Sequence, residues 1–411
     1  MPITIATALP FEHTIRHLTL ATILLLGLTA CGSGQVPTGE WTGTIDTLSS
    51  GEIVVHNTAD PLWTPEEAWQ VVEDLRIGEA MSEGPDLFSA VYSFDVDAWG
   101  RIFVLDNQAQ EVRIFDSAGN FVRTIGGKGE GPGEFVSAGS VDLSRNGEIW
   151  VMGMSLGRVS VFDTTGTYLR GERTNTGGRI MLPYPGGFDP MGRYNVVLPP
   201  SVMDGMARFD QSYSPIDTIS LPENPVEAEY FDLVNEDGFT LMSAAVPFQG
   251  FMAWRWSPTG TAWTLLTGRY ELTEMTTSGE VVRRVTRDYE PIPVTDEDRE
   301  QAIENLEWFT SQGGQIDHSK FPKSRPSTAS FFVDDEGNLW VEQQVTASDA
   351  DNAGRLFDLF DAEGRYLGML RLPFSLAWSR PEPVVREGVL YGVTSDEVGV
   401  PYVVRARIVK P

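Results

Sequence analysis

The sequence has a single cysteine in 411 residues, four histidines, and only four lysines among its 30 basic side chains. One thiol cannot form an internal disulfide, so packing must hold the fold together. With lysine so scarce, Asp and Glu number 58 against 30 Lys and Arg, a formal net charge of −28. A surface of that sign repels phosphate backbones and anionic leaflets, which excludes nucleic acid as a partner. Only His56 and His318 lie beyond the N-terminal leader, so one mature chain cannot assemble a three-histidine zinc centre. The G-x-S-x-G string at 153–157 falls in the polar loop between two strands of the repeat, not at the strand-to-helix turn that a serine-hydrolase elbow needs. The apolar run "LTLATILLLGLTA" at residues 18–30 is too short to span a bilayer comfortably.

That run follows Arg16 and ends in Leu28, Thr29, Ala30 and Cys31. Small residues before a cysteine resemble the bacterial lipoprotein signal, in which the cysteine is acylated after cleavage. The expectation is a signal peptide over 1–30, lipidation at Cys31, a polar tether over 31–49 and a folded region over 50–411. The protein would then be exported to the bacterial cell envelope, on its periplasmic or surface face, and touch membrane only through its lipid.

Gly 41 and Pro 26 are high for a helical chain and predict many turns and short strands. The chain also repeats itself. "FDVDAWGRIFVLDNQAQEVRIFDSAGNFVRTIG" begins at Phe94, and "VDLSRNGEIWVMGMSLGRVSVFDTTGTYLRGER" overlays it without a gap. Asp95 falls on Asp142, Gly100 on Gly147, Gly119 on Gly166 and Arg123 on Arg170. D-x-x-G is a tight turn, because glycine accepts the positive φ that other residues resist. The runs "RIFVL" and "EIWVM" scarcely alternate, which marks strands covered on both faces. A lone meander cannot cover itself twice, whereas copies fanned about an axis cover one another. Weaker copies start near Phe188, Trp256, Phe331 and Arg386, giving six units. The last has material for about three strands, and "GEIVVHNT" (Gly51–Thr58) is the expected fourth, closing the ring from the N-terminal side.

The stretch "IGGKGEGPGEF" (125–135) resembles a phosphate loop in composition only. It lacks the G-K-[S/T] ending and the strand-to-helix setting, and Glu130 and Glu134 would repel phosphate. "IGEAMSEGPDLF" (77–88) is an imperfect copy, so the motif is a repeated connection from an outer strand to the next inner strand. "TPEEAWQVVEDLRIG" from Thr64 has some helical character, but its alignment with "GNFVRTIG" predicts an outer strand at its end.

The connection followed by D-x-x-G, I-W-V and F-D-x-x-G resembles NHL-type six-bladed β-propellers, and within them poorly characterised bacterial envelope lipoproteins. The resemblance is sharp in the first, second and fifth units. It implies an all-β fold: six four-stranded antiparallel blades, a ring closed by an N-terminal strand, and one helical insertion. That insertion is predicted over 294–314, with a Thr295/Asp298 capping box, an apolar stripe of Ala302, Ile303, Leu306 and Phe309, and Gly313 at its end. Among enzymes built on such propellers, the lactonase-like ones bind calcium through channel carboxylates and amides, which need no histidine and which this sequence could supply. Asp106, Asn107, Glu342, Asp349 and Asp351 are the candidate ligand or metal face, with Glu342 read as the blade-five counterpart of Asp106. Lys320, Lys323 and Arg325 form a candidate anion patch. No catalytic residue is assignable. The function expected is a module binding a small molecule or an envelope protein, the alternative being a calcium-dependent hydrolase or lyase in the channel.

Overall fold

The recurring strand-joining turn is built by one acceptor side chain and one left-handed residue. Asp97 Oδ1 accepts the backbone N–H of Trp99 and Arg101 at 3.0 and 2.8 Å, and Gly100 turns the chain at φ +76°. Asp116, Asp163, Asp189, Asp334, Asp361 and Asp396 repeat the device. At one such turn Tyr213 replaces the glycine, at φ +57°, and stacks on Phe209 with ring centroids 4.4 Å apart.

The computed structural model describes residues 39–81, 83–154, 158–173, 182–198, 205–344, 355–377 and 381–411. The chain divides into Met1–Gly34, outside the described residues except by its bounds, and Gln35–Pro411, which carries every strand discussed here. The second unit is a six-bladed β-propeller. The innermost strands of blades 1 to 6 are Val91–Val96, Ala138–Leu143, Leu182–Phe188, Met252–Trp256, Thr328–Val333 and Val384–Arg386. Blades 1, 2, 3 and 5 are four-stranded antiparallel meanders in chain order.

Two-faced burial is visible residue by residue. All five side chains of Ile102–Asp106 are buried. Ile102 and Val104 pack with Tyr391 and Val393 of blade 6, while Phe103 and Leu105 pack with Val141 and Val151 of blade 2. Alternation along one strand thus serves two seams. Trp150 and Tyr194 join blades 2 and 3, Trp263 and Phe331 join blades 4 and 5, and Trp340 and Leu390 join blades 5 and 6. Each fully buried side chain of this size contributes about 1.5–3 kcal/mol.

The ring closes through an N-terminal strand, but not the one expected. Gln70–Ile77 pairs antiparallel with Pro401–Val409 and is the outer strand of blade 6. The expected segment contains Ile53–Asn57, which instead adds in parallel to Val281–Arg287, the outer strand of blade 4; Thr44–Thr47 pairs outside it. The reason lies in the repeat. The connection after Ile77 copies the one after Ile125, so the strand ending at Ile77 holds the outer position. Asn57, fully buried, fastens the added strand: it donates to the carbonyls of Thr286 and Gly364 and accepts from Trp41 Nε1 and the Tyr366 amide.

The insertion forms two short helices, Asp296–Glu304 and Glu307–Thr310, and the Thr295/Asp298 capping box is present with both bonds made. Its apolar stripe does not cover a blade. Ala302, Leu306 and Phe309 pack with Phe231 and Ala244 of a hairpin, Tyr230–Val234 and Thr240–Ala245, inserted between blades 3 and 4. That hairpin carries no copy of the repeat and was not foreseen.

Candidate functional site in the central channel

The phosphate-loop look-alike is filled by its own side chains. Glu134 Oε2 accepts the Gly131 amide at 2.8 Å, and a Cβ on Gly129 would lie 2.0 Å from that oxygen. Arg158 clasps the loop through the carbonyls of Glu130 and Gly131.

Asp106 and Asn107 sit at the second-to-third-strand loop of blade 1 and bind the segments that enter blade 1 and blade 2 respectively. Asp106 is fully buried and accepts the amides of Ser89 at 2.8 Å and of Ala90 and Ala109 at 3.2 Å, while Asn107 donates to the Ala138 carbonyl. Glu342 is not the register mate of Asp106. Counting from Gly100 and Gly337, that mate is Gln343, and the one-residue offset turns Glu342 to the other face of its sheet. Glu342 is buried and paired with Arg355; burial raises its carboxyl pKa and Arg355 opposes the rise. Asp349 and Asp351 lie outside the described residues, as does Cys31. Arg325 is buried against Asp298 at 2.5 Å and holds that carboxyl down at about 2. Lys320 Nζ donates to the Tyr230 carbonyl at 2.6 Å, and Lys323 is exposed. Arg325 and Lys320 tie the helical insertion and the hairpin together rather than meeting at one point. Among the described residues, no group of three or more His, Cys, Asp or Glu side chains is placed to hold a metal ion.

A different set of residues converges at the axis. The innermost strands and adjoining turns of all six blades line a cavity of about 300 Å³. Its lining is sided. Blades 1, 2 and 6, consecutive around the ring, present Asp95, Asp142 and Arg386; blades 3, 4 and 5 present Phe188, Trp256, Pro258 and Val333.

Two of the channel carboxylates have cations. Asp95 stands 3.8 Å from Arg386 and accepts the Leu143 amide at 2.8 Å, and Glu382 pairs with Arg255 at 3.2 Å. Asp142 has none. Its Oδ2 accepts Ser140 Oγ–H at 2.7 Å and Tyr194 O–H at 2.8 Å. Its Oδ1 takes no hydrogen bond from the described residues and hangs over Gly187, where a Cβ would come within 2.8 Å. Burial pushes the Asp142 carboxyl up to about 7; the Ser140 and Tyr194 bonds pull it down, and the negative charge of Asp95 adds to the rise. Tyr194 is pushed well above its ordinary value by its own burial and by Asp142, so it stays protonated and donates.

Asp95 and Asp142 occupy the same repeat position, and that coincidence was the available signal. Counting back from Gly192 and Gly260 puts Gly187 and Arg255 at that position in blades 3 and 4, but nothing in the spelling showed that the position faces the axis.

A family model described as "6-bladed beta-propeller" matches residues 87–177, which span blades 1 and 2. None of the curated proteins matches the sequence. Among solved structures, virginiamycin B lyase from Staphylococcus aureus is 10% identical, covering 83% of this chain and 100% of its own, at a TM-score of 0.45. A DUF4221 family member from Bacteroides vulgatus is 10% identical over 84% of this chain and 98% of its own, at 0.49. A protein of unknown function from Bacteroides thetaiotaomicron is 10% identical over 83% and 76%, at 0.43. Likenesses this distant bear on neither ligand nor reaction.

Proposed function

We propose that this chain is an exported, lipid-anchored binding module of the bacterial envelope that takes a small molecule into its central channel. One observation carries the binding part: Asp142, a half-buried channel carboxylate with no cation among the described residues, turns an oxygen that takes no hydrogen bond from them into a cavity built by all six blades. A few polar groups placed on a cavity wall are what orient a bound small molecule, and a spare acceptor there points to a ligand. The lipobox ending at Cys31 supports the anchor. The calcium-dependent alternative draws on Asp349 and Asp351, outside the described residues, and on Asp106 and Glu342, whose carboxylates already serve backbone amides and Arg355. A second catalytic reading has one specific support, the Asp142 carboxyl near 7, poised for proton transfer at neutral pH.

A thermal-shift screen of chemically diverse small molecules tests the binding reading. Hits that stabilise the parent protein and fail to stabilise Trp256→Ala place the ligand in the channel. No hit at all, together with stoichiometric co-purification of an envelope protein, favours a scaffold instead. Incorporation of labelled palmitate that disappears in Cys31→Ser tests the anchor separately.

A further inference from the structure

We propose that the channel selects an amphipathic organic cation, a primary amine on an apolar body, with the ammonium on Asp142 Oδ1 and the body against Trp256 and Pro258. This rests on the channel being the binding site and adds the ligand's chemical class.

Two independent features of the cavity lead to it. The first is the balance of charge along the wall. Asp95 is answered by Arg386 and Glu382 by Arg255, while Asp335, exposed at the mouth, accepts the Glu387 amide. Of the half-buried wall carboxylates, Asp142 alone has no cation among the described residues, and both of its hydrogen bonds from them arrive on Oδ2. An ammonium supplies three donors and one positive charge, which an alcohol or amide cannot match. An anion would meet Asp142 with Asp95 beside it and be repelled. Arg386 does not offset this, since its guanidinium is turned to the Val96 carbonyl and to Asp95.

The second feature is the facing wall. Blades 3, 4 and 5 bring Trp256 and Pro258 to the same cavity, with Phe188 and Val333 at its edge and the exposed Asp335 at its mouth, so apolar surface lines part of a water-accessible channel. Apolar surface in the same cavity as a half-buried carboxylate that no described cation answers matches a ligand with a greasy end and a charged end. The Trp256 indole adds a ring face that attracts cations, and its N–H has no partner among the described residues. A volume of about 300 Å³ sets the size at a single small aromatic or aliphatic amine.

The glycine beneath the carboxylate belongs to the same device. Gly187 sits at φ +90°, and any side chain there would strike Asp142 Oδ1. Glycine therefore keeps the spare oxygen where the channel can reach it.

The experiment uses the full mature chain and three matched probes: phenethylamine, 2-phenylethanol and phenylacetate, followed by calorimetry at pH 8. Phenethylamine is expected to bind at least tenfold more tightly than the alcohol, with phenylacetate weakest. In Asp142→Asn the amine's advantage over the alcohol should vanish, while the melting temperature stays at or above that of the parent. Amine binding undiminished in Asp142→Asn overturns the proposal. Phenylacetate or 2-phenylethanol binding as tightly as the amine, and lost in Trp256→Ala, overturns the cation class but upholds the channel as the site. Binding of none of the three overturns the amine class, and the broader screen then decides whether the channel reading falls with it.

Discussion

Two aspartates sit at blade seams with tyrosine hydroxyls on their carboxylates, and they end in different roles. Asp358, between blades 4 and 5, is fully buried and fully partnered: Tyr366 O–H at 2.9 Å and Gln343 at 2.8 Å on Oδ1, Tyr270 O–H and Arg287 at 3.1 Å on Oδ2. Asp142, between blades 2 and 3, receives two hydroxyls on one oxygen and no cation. An arginine and one further donor, Gln343, beyond the two hydroxyls make the first a strut. Their absence leaves the second with charge and hydrogen-bonding capacity to offer a ligand. A seam carboxylate is therefore read by counting what already answers it.

The largest expected effect breaks the strut. Asp358→Ala leaves Arg287 and two phenols without their acceptor and should cost about 3–5 kcal/mol in denaturant unfolding; a loss under about 1 kcal/mol would erase the contrast. Asp142→Asn should go the other way. The Asp142 carboxyl titrates higher folded, at about 7, than its ordinary 3.8. Its protonated form is thus favoured by folding, and its contribution is whole below about pH 4 and lost as pH climbs through 7. The neutral amide should remove that decline and gain on the order of 1 kcal/mol at pH 8, read from unfolding across pH 5–8. Smallest is Tyr213→Phe. Tyr213 shares the aromatic cluster of Tyr194, but its phenol has no partner among the described residues, so stability should change by less than about 1 kcal/mol. Tyr194→Phe, which loses the Asp142 bond, should cost more than Tyr213→Phe above pH 7 and converge with it at pH 5.

The fold was legible because its governing features are local and repeated. Asp97 with Gly100, and Asp116 with Gly119, each write a turn within four residues. The apolar run Ile102–Leu105 writes a strand with two covered faces. The Thr295/Asp298 capping box wrote its helix for the same reason. Less legible was what depends on residues far apart in the chain. Ile53–Asn57 and Gln70–Ile77 are both good strands, and only the connection after Ile77 told which one completes blade 6. The hairpin at Tyr230–Ala245 carries no repeat. Asp106 and Glu342 are carboxylates at strand ends, but whether an amide, an arginine or solvent meets them depends on the neighbouring segment.

The amino-acid order by itself determined the meanders, their number and the need for them to cover one another, since period, turn chemistry and two-faced apolar strands are properties of contiguous residues. Closure alone decided that Asp142 would face an axis shared with Trp256, that Arg386 would answer Asp95 and leave Asp142 unanswered, and that Asp358 would meet Arg287. Those pairings join residues tens to hundreds of positions apart, and their charges and hydrogen bonds acquire partners only when six blades meet.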